Sequence, residues 1–126
     1  MPIEFQADDR RRLIRVTASE PYASTDVMAA IERQWSEDKW DFAMLYDLRQ
    51  AVDFVFRVSP ALVSAHVRKI SGGRKRGPVG LWIAGAATQF QVGFDYARLT
   101  KDFADVEVLA TAQDVDEWLE RNAPPL

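Results

Sequence analysis

The chain has 126 residues, 48% of them apolar and 28% charged, with a formal net charge of −3, an ordinary globular composition at the length of one domain. It contains no Cys and a single His, which excludes disulfides, thiolate metal ligands, thiol catalysis and a multi-His metal site within one protomer. The acid excess argues against nucleic acid as a partner, no apolar window reaches the length of a membrane span, and Met1-Pro2-Ile3-Glu4-Phe5 lacks the pattern of a signal peptide, so a cytoplasmic location is expected.

Ile3, Phe5 and Ala7 alternate with polar residues, and the turn Asp8-Asp9-Arg10 leads into Leu13-Ile14-Arg15-Val16-Thr17, a β-hairpin whose first strand belongs at the sheet edge. Ser24 or Thr25 can cap a helix to about Asp38, with Val27, Met28, Ile31 and Trp35 on its apolar side. Next, Asp41-Phe42-Ala43-Met44-Leu45-Tyr46-Asp47 sets an unbroken apolar run between two aspartates. A strand with one wet face would alternate, so this run predicts a strand buried on both faces. Ser59-Pro60 offers a cap followed by Pro at the first helical position; Leu62, Val63, His66, Val67 and Ile70 share one side of that helix, and Gly72-Gly73 stop it.

Val79 to Ala84 reads as a second apolar strand, and Thr88 can cap a third helix to about Phe103. Val106 to Ala110 is a last short strand, before the capping-box pattern Thr111-Ala112-Gln113-Asp114 and a helix bearing Val115, Trp118 and Leu119, ended by Ala123-Pro124-Pro125. The order ββαβαβαβα predicts one α/β domain over residues 1–126: a five-stranded, mostly parallel sheet with an antiparallel N-terminal hairpin strand and four helices over its two faces.

This order, with Leu13-Ile14-Arg15-Val16, Met44-Leu45-Tyr46-Asp47-Leu48, Val106-Glu107-Val108-Leu109-Ala110 and Val115-Asp116-Glu117-Trp118-Leu119, resembles the STAS domain and within it the SpoIIAA-like, anti-sigma-factor antagonist-like branch. The likeness spans nearly the whole chain and rests on hydrophobic pattern, an Asp closing the central strand and a Trp-Leu pair in the last helix. It implies the SpoIIAA-like fold and a regulatory role through protein–protein binding, in which a Ser just after that Asp is phosphorylated. Asp47 takes the Asp position, but Leu48, Arg49 and Gln50 follow, so the phosphoacceptor hydroxyl is missing. Related folds bind lipids or small apolar ligands, which the resemblance also permits.

In an open parallel sheet the ligand crevice lies beyond the carboxyl ends of the strands, here the segments after Asp47 and after Ala84. In the first, Val52, Phe54, Phe56 and Val58 alternate with other residues, and so much apolar surface needs the body, a ligand or another chain to cover it. On the third helix Val92, Tyr96, Leu99 and Phe103 form the stripe expected to meet the sheet, leaving Phe90 and Phe94 opposite, beside Gly93 and Ala97. Outward rings there mark a homodimer interface or a partner groove, unless the neighbouring segment packs them.

Asp47 is the leading polar candidate, with Arg49 near it. If buried, it can serve as an acid or base; the plainer role is to accept from nearby backbone N–H groups. His66, Ser59 and Ser64 show no partner for acid–base or nucleophilic chemistry. Arg74, Lys75 and Arg76 beside Gly72-Gly73 make a candidate anion site, although they sit at the amino-terminal edge and also suit the end of a helix dipole. The sequence thus points to a non-enzymatic STAS-like module without cofactor or metal, homodimeric, binding a protein partner through Asp47, Arg49, Phe54, Phe56, Phe90 and Phe94. The alternative is a carrier of a lipid or small hydrophobic ligand with the four Phe at its mouth.

Overall fold

Alternation along the strands sorts the apolar side chains into two cores, one on each face of a single sheet. The computed structural model describes residues 3–19, 23–51 and 58–124. In chain order the elements are β1 (Ile3–Asp8), β2 (Leu13–Ser19), α1 (Ser24–Ser36), β3 (Ala43–Gln50), α2 (Pro60–Ser71), β4 (Val79–Trp82), α3 (Ala87–Thr100), β5 (Val106–Leu109) and α4 (Ala112–Asn122). The strands lie in the order β1-β2-β3-β4-β5. β1 pairs antiparallel with β2, and the other pairs are parallel. The expected α/β architecture of five strands and four helices is therefore the observed one.

Each parallel connection steps one strand further in the same direction, so crossovers of one hand stack α1, α2 and α3 on one face. Ile14, Val16, Met44, Tyr46, Val79 and Leu81 point to those helices. Leu13, Ala43, Leu45 and Leu109 point the other way, to Val115 and Trp118 of α4. Trp118 is 1% exposed. It lies over Gly80, where a Cβ would stand 3.0 Å from the indole Cε2, so a side chain there would press the ring outward by a few tenths of an ångström. Arg11 donates through Nε (3.1 Å) and Nη2 (2.6 Å) to the Ala123 carbonyl, tying the hairpin to the end of α4.

β3 is buried on both faces, as its unbroken apolar run requires. It begins at Ala43 and runs to Gln50, three residues past Asp47. Leu48 still points into the core, and Gln50 pairs with Ser19 after a register shift that leaves one extra residue in β3 between Asp47 and Gln50. Asp47 thus sits within the strand rather than closing it.

Two helix starts are the expected ones. The Ser59 hydroxyl accepts from the Leu62 N–H at 3.2 Å, and Gly72 ends α2 at φ 61°. The Thr111 hydroxyl accepts from the Asp114 N–H at 3.0 Å, and the Asp114 carboxylate accepts from the Thr111 N–H at 3.1 Å. α1 and α3 begin differently. Ser24 and Thr88 lie inside their helices, while Asp26 and Gln89 reach back to accept from the N–H groups of Ala23 (2.8 Å) and Ala86 (2.7 Å). The Ser24 hydroxyl instead accepts from the Ser59 N–H at 2.8 Å, pinning the start of α1 to that of α2.

α3 sets Val92 and Tyr96 against the core as the expected stripe requires, and Phe103 just past its end is buried, but Leu99 of that stripe is exposed. Gln89, Gly93, Tyr96 and Thr100 are its buried residues. Phe90 and Val92 are half-buried against the core, whereas Leu99 is exposed. The outward placement of Phe90 is therefore corrected, and Phe94 alone of the pair faces solvent. Gly93 is the cause. A Cβ there would come within 2.8 Å of Ile83 Cδ1 and 3.2 Å of Val108 Cγ2, so the bare backbone lets the helix settle with Gly93, not a bulky residue, against the sheet. No described helix is long and apolar enough to cross a membrane.

Candidate functional site

At the carboxyl end of β3 and β4 the three-helix face does not close. Tyr46, Leu48, Leu81 and Ile83 form the sheet side of a cavity, and Val27 of α1, Val63 of α2 and Val92 of α3 stand across from them. Its volume is about 50 Å³, and about 480 Å³ when the open solvent at its mouth is counted. Gly93 lies in the wall and leaves room where any side chain would intrude. The wall is aliphatic and aromatic, and the Tyr46 and Tyr96 hydroxyls are the polar groups its side chains carry. The site lies in the crevice region expected for a parallel sheet.

Behind the two tyrosines is a buried cation. Arg76 is 2% exposed. It donates through Nε to Gln34 Oε1 (3.0 Å), through Nη1 to the Tyr96 hydroxyl (3.2 Å), and through Nη2 to Met44 Sδ (2.8 Å) and the Tyr46 hydroxyl (3.5 Å). Its guanidinium also lies 5.3 Å from the centroid of Trp40. Burial pushes the Tyr96 hydroxyl above the ordinary tyrosine range, against the opposing pull of Arg76. Arg76 is thus removed from the proposed surface anion trio: its backbone N–H is fixed on the Phe103 carbonyl at 2.7 Å, and its side chain turns inward. Arg74 and Lys75 remain outside, with Lys75 Nζ 3.6 Å from Asp105 Oδ2.

On the opposite face of the sheet, Asp47, Arg49 and Trp82 form a second cluster. Arg49 follows Asp47 by two residues and so shares its side of the strand; the register sets Asp47 beside Trp82. Arg49 donates to both carboxylate oxygens, Nε to Oδ1 at 2.9 Å and Nη2 to Oδ2 at 2.8 Å, and its backbone N–H reaches Oδ1 at 3.2 Å. The guanidinium then stacks 3.5 Å from the centroid of Trp82. Hydrogen bonding by the Arg49 side chain, against a smaller effect of burial, holds the Asp47 carboxyl below the usual aspartate range. A neutralised carboxylate of this kind is poorly placed for proton transfer near neutral pH.

The other candidates disperse. Phe54 and Phe56 lie outside the described residues. Phe90 packs against the core and Phe94 is 55% exposed. His66 Nε2 lies 3.4 Å from Glu32 Oε1 without a hydrogen-bonding angle. Ser64 donates to the Leu99 carbonyl at 3.4 Å, and Ser59 is occupied as a cap. Among the described residues no cluster of three His, Asp or Glu side chains can hold a metal ion. The inward turn of Arg76 escaped the sequence reading, which set Tyr96 toward the sheet and Gly93 at a close approach but assigned neither them nor Tyr46 to a cavity. Comparisons with protein-family models, with curated proteins and with solved structures found no match.

Proposed function

We propose that the chain is a non-enzymatic α/β binding module, of the STAS-like kind its residues resemble, that takes a small apolar ligand in the cavity between β3, β4 and the three stacked helices. The observation that carries this reading is the cavity itself. Protein interiors leave few voids larger than a water molecule, and an apolar space lined by Leu48, Leu81, Ile83, Val63 and Val92 holds water poorly but an apolar molecule well. Calorimetric titration with octanol tests it. The chain should bind octanol saturably, and Val92→Trp, which fills the space from the α3 wall, should bind at least about tenfold more weakly with an unchanged far-ultraviolet circular dichroism spectrum, a loss within reach of the apolar contact removed. Absence of octanol binding, or equal binding by both chains, removes the reading.

A second reading, partner binding or a homodimer, is favoured by Leu62 (52% exposed) on α2 and by Phe94 (55%) and Leu99 (37%) on α3, large apolar side chains on two helices packed against each other. Sedimentation equilibrium of the chain and of Phe94→Asp tests it: dimer mass that Phe94→Asp abolishes supports a homodimer, and monomer mass for both chains sinks it.

A further inference from the structure

The cavity and the buried cation share two walls, and together they say more about the ligand than either does alone. Arg76 is buried with neutral acceptors on every hydrogen bond it makes. Among the described residues no carboxylate stands within ion-pair distance of it. A guanidinium keeps its proton in proteins, so its charge is taken out of water without a counter-ion, an arrangement that is costly. Protein interiors ordinarily place an anion beside such a group.

Tyr46 and Tyr96 carry that charge to the cavity. Each accepts a hydrogen bond from Arg76 through its phenolic oxygen, which leaves its own O–H free to donate. Neither hydroxyl donates to any described residue, and both tyrosines line the cavity. Two polarised donors, backed by a full positive charge, are therefore the side-chain polar groups of walls that are otherwise apolar.

Resting on the cavity reading above, we propose that the ligand is a short amphiphile with a carboxylate head: its chain runs through the cavity and out along the open mouth, its carboxylate accepts from the Tyr46 and Tyr96 hydroxyls, and Arg76 supplies the countercharge behind them. Charge matching selects the class. A neutral alcohol would leave the guanidinium uncompensated, and a phosphate dianion would exceed the single positive charge, since no cationic side chain is among the cavity's own lining.

Calorimetry with octanoate, octanol and octyl phosphate at pH 7 tests this on the unaltered chain. Octanoate should bind at least about tenfold more tightly than octanol, the gain of a charge-assisted hydrogen bond, and more tightly than octyl phosphate. Tyr96→Phe keeps the ring in the wall and should cut the preference for octanoate over octanol at least about threefold while leaving octanol binding in place; Arg76→Met should do the same by removing the charge. Octanol binding as tightly as octanoate overturns the head-group assignment and leaves the apolar-cavity reading standing. Tighter binding of octyl phosphate overturns the choice of carboxylate, and a Tyr96→Phe chain with its preference intact overturns the placement of the head. Absence of octanol binding overturns the cavity reading and this inference with it.

Discussion

Asp47 and Arg49 are the pair of residues whose relation could be read before any coordinates, because positions two apart on a strand share a face. The bidentate contact at 2.8 and 2.9 Å follows from that adjacency, and its electrostatic consequence has a definite sign. The folded-state pKa of Asp47 is depressed, so the contribution of the pair is fully present above the unfolded-state value, about 3.9, and is lost as pH falls through the folded value. Arg49→Met should thus destabilise the chain more at pH 7 than at pH 3 in urea melts. The gap should narrow without vanishing, because loss of the stacking on Trp82 does not depend on pH, and it should be small because the Arg49 side chain is 47% exposed. A gap that widens on acidification would contradict the assignment.

Arg76 was illegible by comparison. In Arg74-Lys75-Arg76 nothing local distinguishes one cation from the next, and the inward turn is set by Gly77. A Cβ there would fall 2.3 Å from the Phe42 carbonyl oxygen, so the backbone runs hard against the start of β3 and drives its neighbour into the core. The one available hint lay elsewhere: a Tyr in the middle of a doubly buried run needs a polar partner, and Tyr46 finds it in Arg76.

Among the elements, α2 and α4 were readable from end to end because their caps are side-chain hydroxyls at the expected positions. α1 and α3 were misplaced by a residue or two, since acceptors on the third helical residue, Asp26 and Gln89, replace a capping hydroxyl. The error on α3 mattered more. A stripe drawn through the largest residues puts Leu99 inside, whereas the helix seats on its smallest, Gly93, and turns Leu99 outward. Gly93→Ala gains roughly 1 kcal/mol of helix propensity but forces Ile83 and Val108 to yield at 2.8 and 3.2 Å, an overpacking cost of about 1–3 kcal/mol. The expected net result is a loss of about 1 kcal/mol in denaturant melts; a clear gain in stability would show that the space beside Gly93 can absorb the methyl.

Across the whole molecule the two faces of the sheet divide the work. The fold class was accessible because strands alternating with helices admit few arrangements; the cavity was not, because a void depends on how side chains from five elements meet. The face under α4 rests on Trp118. Trp118→Ala should cost about 3–5 kcal/mol, visible as a fall in the urea midpoint. Because the cavity lies on the other side of the sheet, octanol binding by the folded fraction should stay within about twofold, as expected for distant sites. A much larger loss of affinity would mean that the two faces are coupled.

The strand order β1-β2-β3-β4-β5 also bears on biosynthesis. Each strand docks beside the one made just before it, so a growing polypeptide can assemble this sheet from one margin as it leaves the ribosome, amino-terminal part first. Only the underside must wait: Leu13 and Leu45 stay wet until α4 is translated, and during that interval the nascent chain offers a sticky surface suited to a chaperone.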